Sequence, residues 1–387
     1  MMPIVDLARD VVSRAYRKPA GFTFDRPVLL LQSDDWGRVG VRDGEGWDEL
    51  QAAGLALGQK PYDYYSLETA DDVAELHQVL KSHRDSEGRP PRLVTNFCVA
   101  NLDFENIAES DFRSLILKPL SEGLPGKWNR PGLLDAYQQG IADGVFYPAL
   151  HGTTHSCRAA LARHIGEDSE RGTLLRALLL AGTPYIHWRM PWIGFEYWDQ
   201  ERTPQFLSAA IQHDLVRDAA AGFADLFGVS PLSACAPGYR ANDDTRRAWA
   251  DCGIRVAQNG PALTSPHFDP SGLLHTYRTV EFEPALDPQR YTLQHCLERA
   301  AGCFERGLPA IVSVHSINFH STLKNFRGPT LRLLHQFLSA LERKHDNLLY
   351  LHDLELHDML RAVQQGDAAN GRSARHVDCA SAAGATR

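Results

Sequence analysis

Pro27-Val28-Leu29-Leu30-Leu31 runs directly into Gln32-Ser33-Asp34-Asp35. Five uncharged apolar residues have the length and composition of a buried strand, and this one leads into two adjacent carboxylates. Two such groups at the end of a buried strand repel each other and lose hydration unless a cation compensates them. Working outward, the same pattern recurs at Arg92–Cys98, Val145–Leu150, Leu232–Ala236, Ile254–Ala257, Leu274–Phe282, Ala310–Val314 and Leu348–Leu351. Between these runs lie Ala70–Ser82, Arg130–Asp143, Gln205–Phe227, Asp243–Cys252, Leu293–Arg306 and Pro329–Lys344. Their apolar residues recur at three- and four-residue spacing, the period of an amphipathic helix. Strands alternating with helices predict an α/β protein with a mostly parallel sheet. About seven or eight such units suit a barrel as readily as an open sheet.

The chain has 387 residues, 43% hydrophobic and 23% charged, the composition of an ordinary globular protein. A formal charge of −8 argues against nucleic acid as a partner, because that binding needs a positive footprint. No apolar stretch reaches the ~18–20 residues of a spanning helix. Residues 1–17 mix acids and bases without an apolar core of signal-peptide length, so a cytoplasmic protein is expected. The seven cysteines are scattered and form no C-x-x-C pair, which fits free thiols in a reducing compartment. No Gly-rich phosphate loop follows any strand.

The polar residues of interest follow the apolar runs, at the strand ends where parallel α/β proteins build their sites. His151 and His155 flank Gly152-Thr153-Thr154 just after Phe146–Leu150. Two imidazoles and one carboxylate make a three-ligand open metal site, although such a pair also reads as polar residues at a helix start. Of Asp34 and Asp35, one can ligate while the other serves as base toward an acidified water. The competing reading, a helix cap, fits poorly with Trp36-Gly37-Arg38. His315 ends Ile311–Val314 and has the pKa range for proton donation to a leaving group. Asn318 follows close behind. After Leu232–Ala236, the loop 237–242 offers Arg240 as a partner for a carboxylate, with backbone N–H groups near Gly238 and Tyr239. Residues 183–198 hold Tyr185, Trp188, Trp192, Phe195, Tyr197 and Trp198, a density of rings suited to sugar faces and equally to a packing lid. From 364 to 387 the residues are mostly small or polar, and a disordered tail is expected.

As an ordered set these segments resemble the polysaccharide deacetylase superfamily, the chitooligosaccharide deacetylase-like and carbohydrate esterase family 4-like proteins. Ser33-Asp34-Asp35 resembles its first motif and His151-Gly152-Thr153-Thr154-His155 its second. Ala236-Pro237-Gly238-Tyr239 resembles the third, and Val314-His315 the fifth. The resemblance spans about 27–352 and implies a deformed (β/α) barrel of about seven parallel strands in a single domain, 1–363. It implies a divalent metal, usually zinc, held by Asp35, His151 and His155, with Asp34 as general base and His315 as general acid. The implied reaction removes an acetyl group, N-acetyl ahead of O-acetyl, from a sugar or glycan precursor.

Three departures carry their own expectations. Cys235 stands where the third motif has arginine, so Arg240 or another arginine is expected to orient the base. No aspartate follows Gly253 in Ile254–Asn259, so Asp243 or Asp244 is expected to tune His315. Trp36 replaces a glycine and is expected to narrow the cleft, with Tyr239, Trp188, Trp192 and Asn318 also facing substrate. Two rival readings are a metal-free glycoside hydrolase with Asp243 or Glu196 as second acid, and an inactive glycan-binding homologue.

Overall fold

The first strand outlasts its apolar run. In the computed structural model, which describes residues 21–183, 187–370, 376–377 and 379, strand β1 spans Val28–Trp36 and is buried throughout. Its polar half stays extended because the inward side chains find partners: Gln32 donates to Asp353 at 2.7 Å, and Asp34 accepts from Arg278 at 2.7 and 2.8 Å. Buried polar groups are tolerable only when satisfied in this way.

Strands β2 (Leu93–Cys98), β3 (Phe146–Gly152), β4 (Ser233–Cys235) and β5 (Val256–Pro261) follow. Then come β6 (Leu274–Arg278, extended by Val280–Glu281) and β7 (Ala310–His315). Each pairs in parallel with the next from β1 to β6. Val280–Glu281 pairs with β7, and β7 pairs with β1. The sheet therefore closes into a seven-stranded parallel barrel. A short strand β8 (Leu349–Tyr350) pairs with Val28 and Leu29. Leu29 already meets Ala310 of β7 on its other side, so β8 wedges in below β2 and deforms the ring.

The two-residue period sorts the barrel. Outward-facing Leu29, Leu31, Val312 and Val314 lie in the large core under the helices. Inward-facing Leu30, Val256, Leu274 and Ile311 form an apolar floor with Leu349, Leu351, Leu356 and Leu360. Above that floor the interior turns polar, through Gln32, Asn96, Ser233, Gln258 and Arg278, all buried.

Helices α1 (Ala70–Lys81), α2 (Leu133–Ala142), α4 (Asp243–Asp251), α5 (Leu293–Phe304) and α6 (Arg327–Lys344) lie close to their expected spans. Helix α3 spans Ala209–Phe227 and starts later than expected, because Leu207 N bonds to Tyr197 O and Gln205 O accepts from Asp199 N. Helix α7 (Asp353–Asn370) continues through the start of the segment expected to be a disordered tail. Farther on, His376–Val377 pairs in parallel with Thr23–Phe24. Apart from Cys379, the remainder of that tail, like Tyr185, lies outside the described residues. Among the described residues no helix is long and apolar enough to cross a membrane.

Candidate metal centre

A strict strand period would turn Asp35 outward with Leu29 and Leu31. The β1–β2 register shifts between Ser33 and Trp36, and Asp35 adopts φ 73°. That bulge brings Asp34 and Asp35 to the same cavity and sends Trp36 to the outer face. A left-handed non-glycine residue costs on the order of 1–3 kcal/mol, so the turn must be held from outside. Tyr65 Oη and Ser316 Oγ do so, donating to Asp35 O at 2.8 and 3.3 Å. A second shift, between Phe97 and Cys98 against β3, lies opposite His151 and Gly152. His155, at φ 74°, ends the turn that follows.

These two irregularities bring three side chains together. Asp35 Oδ1 lies 3.2 Å from His155 Nε2 and 3.5 Å from His151 Nε2. All three residues are buried, yet Asp35 Oδ1 accepts no well-formed hydrogen bond. A tetrahedral cation about 2.0–2.1 Å from each ligand separates ligand pairs by roughly 3.3 Å. The three atoms therefore fit a divalent ion. His151 Nδ1 donates to Cys235 O at 2.9 Å, which leaves the Nε2 lone pair facing Asp35. The other carboxylate oxygen, Oδ2, receives Arg38 Nη2 at 3.2 Å. Burial alone would raise the Asp35 pKa, but Arg38 and the histidines hold it well below the usual carboxylate range.

Asp34 faces the interior and is held bidentately by Arg278 of β6, with Asn96 Nδ2 donating at 2.8 Å. Burial pushes its pKa up, and Arg278 overcomes this to hold it below the ordinary value. On the neighbouring strand β7, His315 is the register partner of Asp34, and its Nε2 lies 4.0 Å from Asp34 Oδ2. His315 Nδ1 lies 2.6 Å from Glu283 Oε1, and Asn318 Nδ2 donates to Glu283 Oε2 at 2.6 Å. Burial lowers the imidazole pKa, but Glu283 and then the two aspartates reverse this and raise it to about 9. The cavity holds about 230 Å³ and is walled further by Arg38, Tyr62, Phe195, Gly238 and Tyr239.

Asp34, Asp35, His151, His155, His315 and Tyr239 thus meet in one place, as their positions in the sequence suggest. Several other expectations are corrected. Arg240 is exposed with its guanidinium over Trp198, and Arg278 pairs with Asp34 in its place. Asp243 and Asp244 pair with Arg246 and Arg247, while Glu283 partners His315. Trp36 is wholly buried among Phe97, Tyr137, Phe146 and Phe319, outside the cleft. Trp188 donates to Asp63 and Trp192 packs on His164, so among the described residues of the aromatic segment it is Phe195 that reaches the cavity. Asn318 braces Glu283 and is buried. Tyr239 N is bonded to Ala236 O within its turn. Neither Asp243 nor Glu196, the second acids considered for a glycoside hydrolase, is among the described residues that line the cavity. Arg278 and Glu283 carried one faint signal, charged residues inside or just beyond a run read as a strand.

No known protein-family profile matches the chain, and neither does any curated protein. Among solved structures, the chain is similar to a Mycobacterium smegmatis protein classed as a polysaccharide deacetylase. The two are 12% identical with a TM-score of 0.46, over 89% of this chain and 93% of that one. It is similar to the Puue allantoinase at 12% identity and a TM-score of 0.45, over 85% and 89%. For the family 4 carbohydrate esterase from Streptomyces lividans the values are 10% and 0.34, over 85% and 91%.

Proposed function

We propose that this chain is a metal-dependent hydrolase that removes an acetyl group, N-linked ahead of O-linked, from a sugar or glycan precursor. One observation carries the reading: the Asp35–His151–His155 triangle opens on a cavity that Asp34 and His315 also line. Asp35, His151 and His155 would hold the dication, and a donor set of two imidazoles and a carboxylate suits zinc. When bound, the ion supplies an acidified water and polarises the acyl oxygen.

The chain's own groups do the rest. Asp34, kept ionised by Arg278, accepts the proton of the attacking water. His315 keeps its proton through neutral pH because Glu283 shares its Nδ1 side, and it delivers that proton to the departing atom. An amine leaving group needs such a donor more than an alkoxide does, which favours the amide. The rings of Tyr62, Phe195 and Tyr239 offer apolar faces to a pyranose at the cavity wall. The small volume suits an acetyl group and the atoms around it.

Elemental analysis of the purified protein, combined with acetate release from a panel of N- and O-acetylated sugars, tests the reading. It predicts a bound dication and acetate from at least one N-acetylated member. A metal-free protein that still turned over glycosides would overturn it.

A further inference from the structure

Beneath the cavity lies a carboxylate that no part of the proposed chemistry uses. Asp353, the first residue of α7, is fully buried where the apolar floor meets the polar interior. Its Oδ1 accepts from Gln32 Nε2 at 2.7 Å and its Oδ2 from Ser233 Oγ at 2.5 Å. Gln32 Oε1 in turn accepts from Arg278 Nε at 3.1 Å. On the other side, Gln258 Nε2 donates to Ser233 Oγ at 2.9 Å, and Gln258 Oε1 accepts from Arg278 Nη2 at 3.0 Å. Two hydrogen-bonded paths therefore run from Asp353 to Arg278, and Arg278 grips both oxygens of Asp34.

The polarity of the Gln32 path has one source, whereas Gln258 is also held by Asn96, which accepts from its Nε2 and donates to its Oε1, both at 2.9 Å. A guanidinium only donates, so each glutamine must present its carbonyl oxygen to Arg278. Either amide could turn over at little intrinsic cost, and each is locked by what its nitrogen meets at the far end. An ionised carboxylate only accepts, so Asp353 takes the Gln32 amide and the Ser233 hydroxyl, which leaves Ser233 Oγ to accept from Gln258. Burial holds the Asp353 carboxyl above its ordinary pKa, and Ser233, Gln32 and Arg278 offset only part of that rise.

We infer that Asp353 is a positioning residue for the proposed reaction, fixing Arg278, and through it Asp34, by dictating which way the Gln32 amide points. The inference rests on Asp34 acting as general base. An asparagine in place of Asp353 puts a donor where one of these partners also donates. Ser233 can answer by turning its hydroxyl to accept, whereas Gln32 can answer only by turning its amide, and Arg278 then faces another donor.

The test uses full-length, dication-loaded protein. Asp353→Asn should lower kcat about 10- to 100-fold, with KM within about twofold and metal content unchanged. Adding Gln32→Glu to that variant should recover most of kcat, because the new carboxylate accepts from both the introduced asparagine amide and Arg278. Wild-type kcat in Asp353→Asn would overturn the inference, and so would a loss that Gln32→Glu leaves unrepaired in a folded, metal-bound chain. Should Asp353→Asn fail to fold, Gln32→Met removes the Arg278 acceptor directly; it should show the same kcat loss, and unchanged kcat contradicts the inference. A crystal structure of Asp353→Asn gives a readout apart from turnover. Arg278 should have lost its Nε bond to residue 32, and an undisturbed Arg278 rules the inference out. Failure of the wild-type protein to release acetate from any substrate would refute the proposed function and leave that structural result standing.

Discussion

Asp34 and His315 face one cavity in opposite electrostatic settings, one beside a guanidinium and the other beside a carboxylate. Asp34→Asn keeps the shape and removes the proton acceptor. Turnover should fall by at least about 100-fold while metal content stays unchanged, measured as acetate release and elemental analysis on one preparation. A fast Asp34→Asn enzyme would assign the base elsewhere. For His315 the sign follows from its partner: as the proposed acid it works protonated, against the effect of burial Glu283 raises its pKa to about 9, and activity should hold to about that pH before falling. Glu283→Gln removes the chief upward influence, so the alkaline limb should move down toward the ordinary histidine value of about 6.5. The pH dependence of kcat/KM in the two proteins checks this, and an unmoved limb would separate Glu283 from the acid. These five cavity residues, Asp34, Asp35, His151, His155 and His315, were legible in the sequence because each ends or follows an apolar run. That reading needs no knowledge of tertiary contacts.

Their partners were harder to see, for reasons that belong to the strands. Arg278 meets Asp34 across 244 residues of chain, and only barrel closure brings β6 beside β7 and β1. The substitution of Cys235 at the expected arginine position therefore left the choice of arginine open, and the nearest in sequence, Arg240, is the wrong one. Arg278→Ala should abolish most turnover and Arg240→Ala should leave kcat within about threefold, since only the first strips a buried carboxylate of its partner. Comparable losses in both would contradict this assignment. Trp36 was misread for a related reason: a strict period of two cannot foresee the bulge at Asp35 that sends the indole outward. Trp36→Ala should therefore cost about 3–5 kcal/mol of stability by denaturant titration and leave the relative rates on different acetylated sugars unchanged. Altered selectivity would return Trp36 to the cleft.

For the molecule as a whole, the parallel α/β arrangement was legible in the alternation of runs; closure was not, because no single strand reports that its sheet meets itself, and the barrel was expected from the resemblance alone. Closure also places two histidines that tie stability to pH, one buried and one half-buried. His352 stacks on Tyr147 at 4.1 Å, and burial, followed by Arg92 and Arg89, lowers its pKa to about 3. The unfolded chain protonates this group near 6.5 and the folded chain resists, so stability should fall as pH drops from about 6.5 toward 3. His315 has the reverse sign, and its contribution is complete below about 6.5 and lost as pH rises through about 9. Urea unfolding across pH 4–7 should show a shallower acid slope in His352→Phe, and an identical slope would place the acid sensitivity elsewhere. The central claim is that distant segments converge on one dication. The measurement that tests it most directly is calorimetric titration of zinc into metal-stripped protein. The account predicts one tight site per chain in the wild type and none in Asp35→Ala, and saturable binding that survives Asp35→Ala undiminished would contradict it.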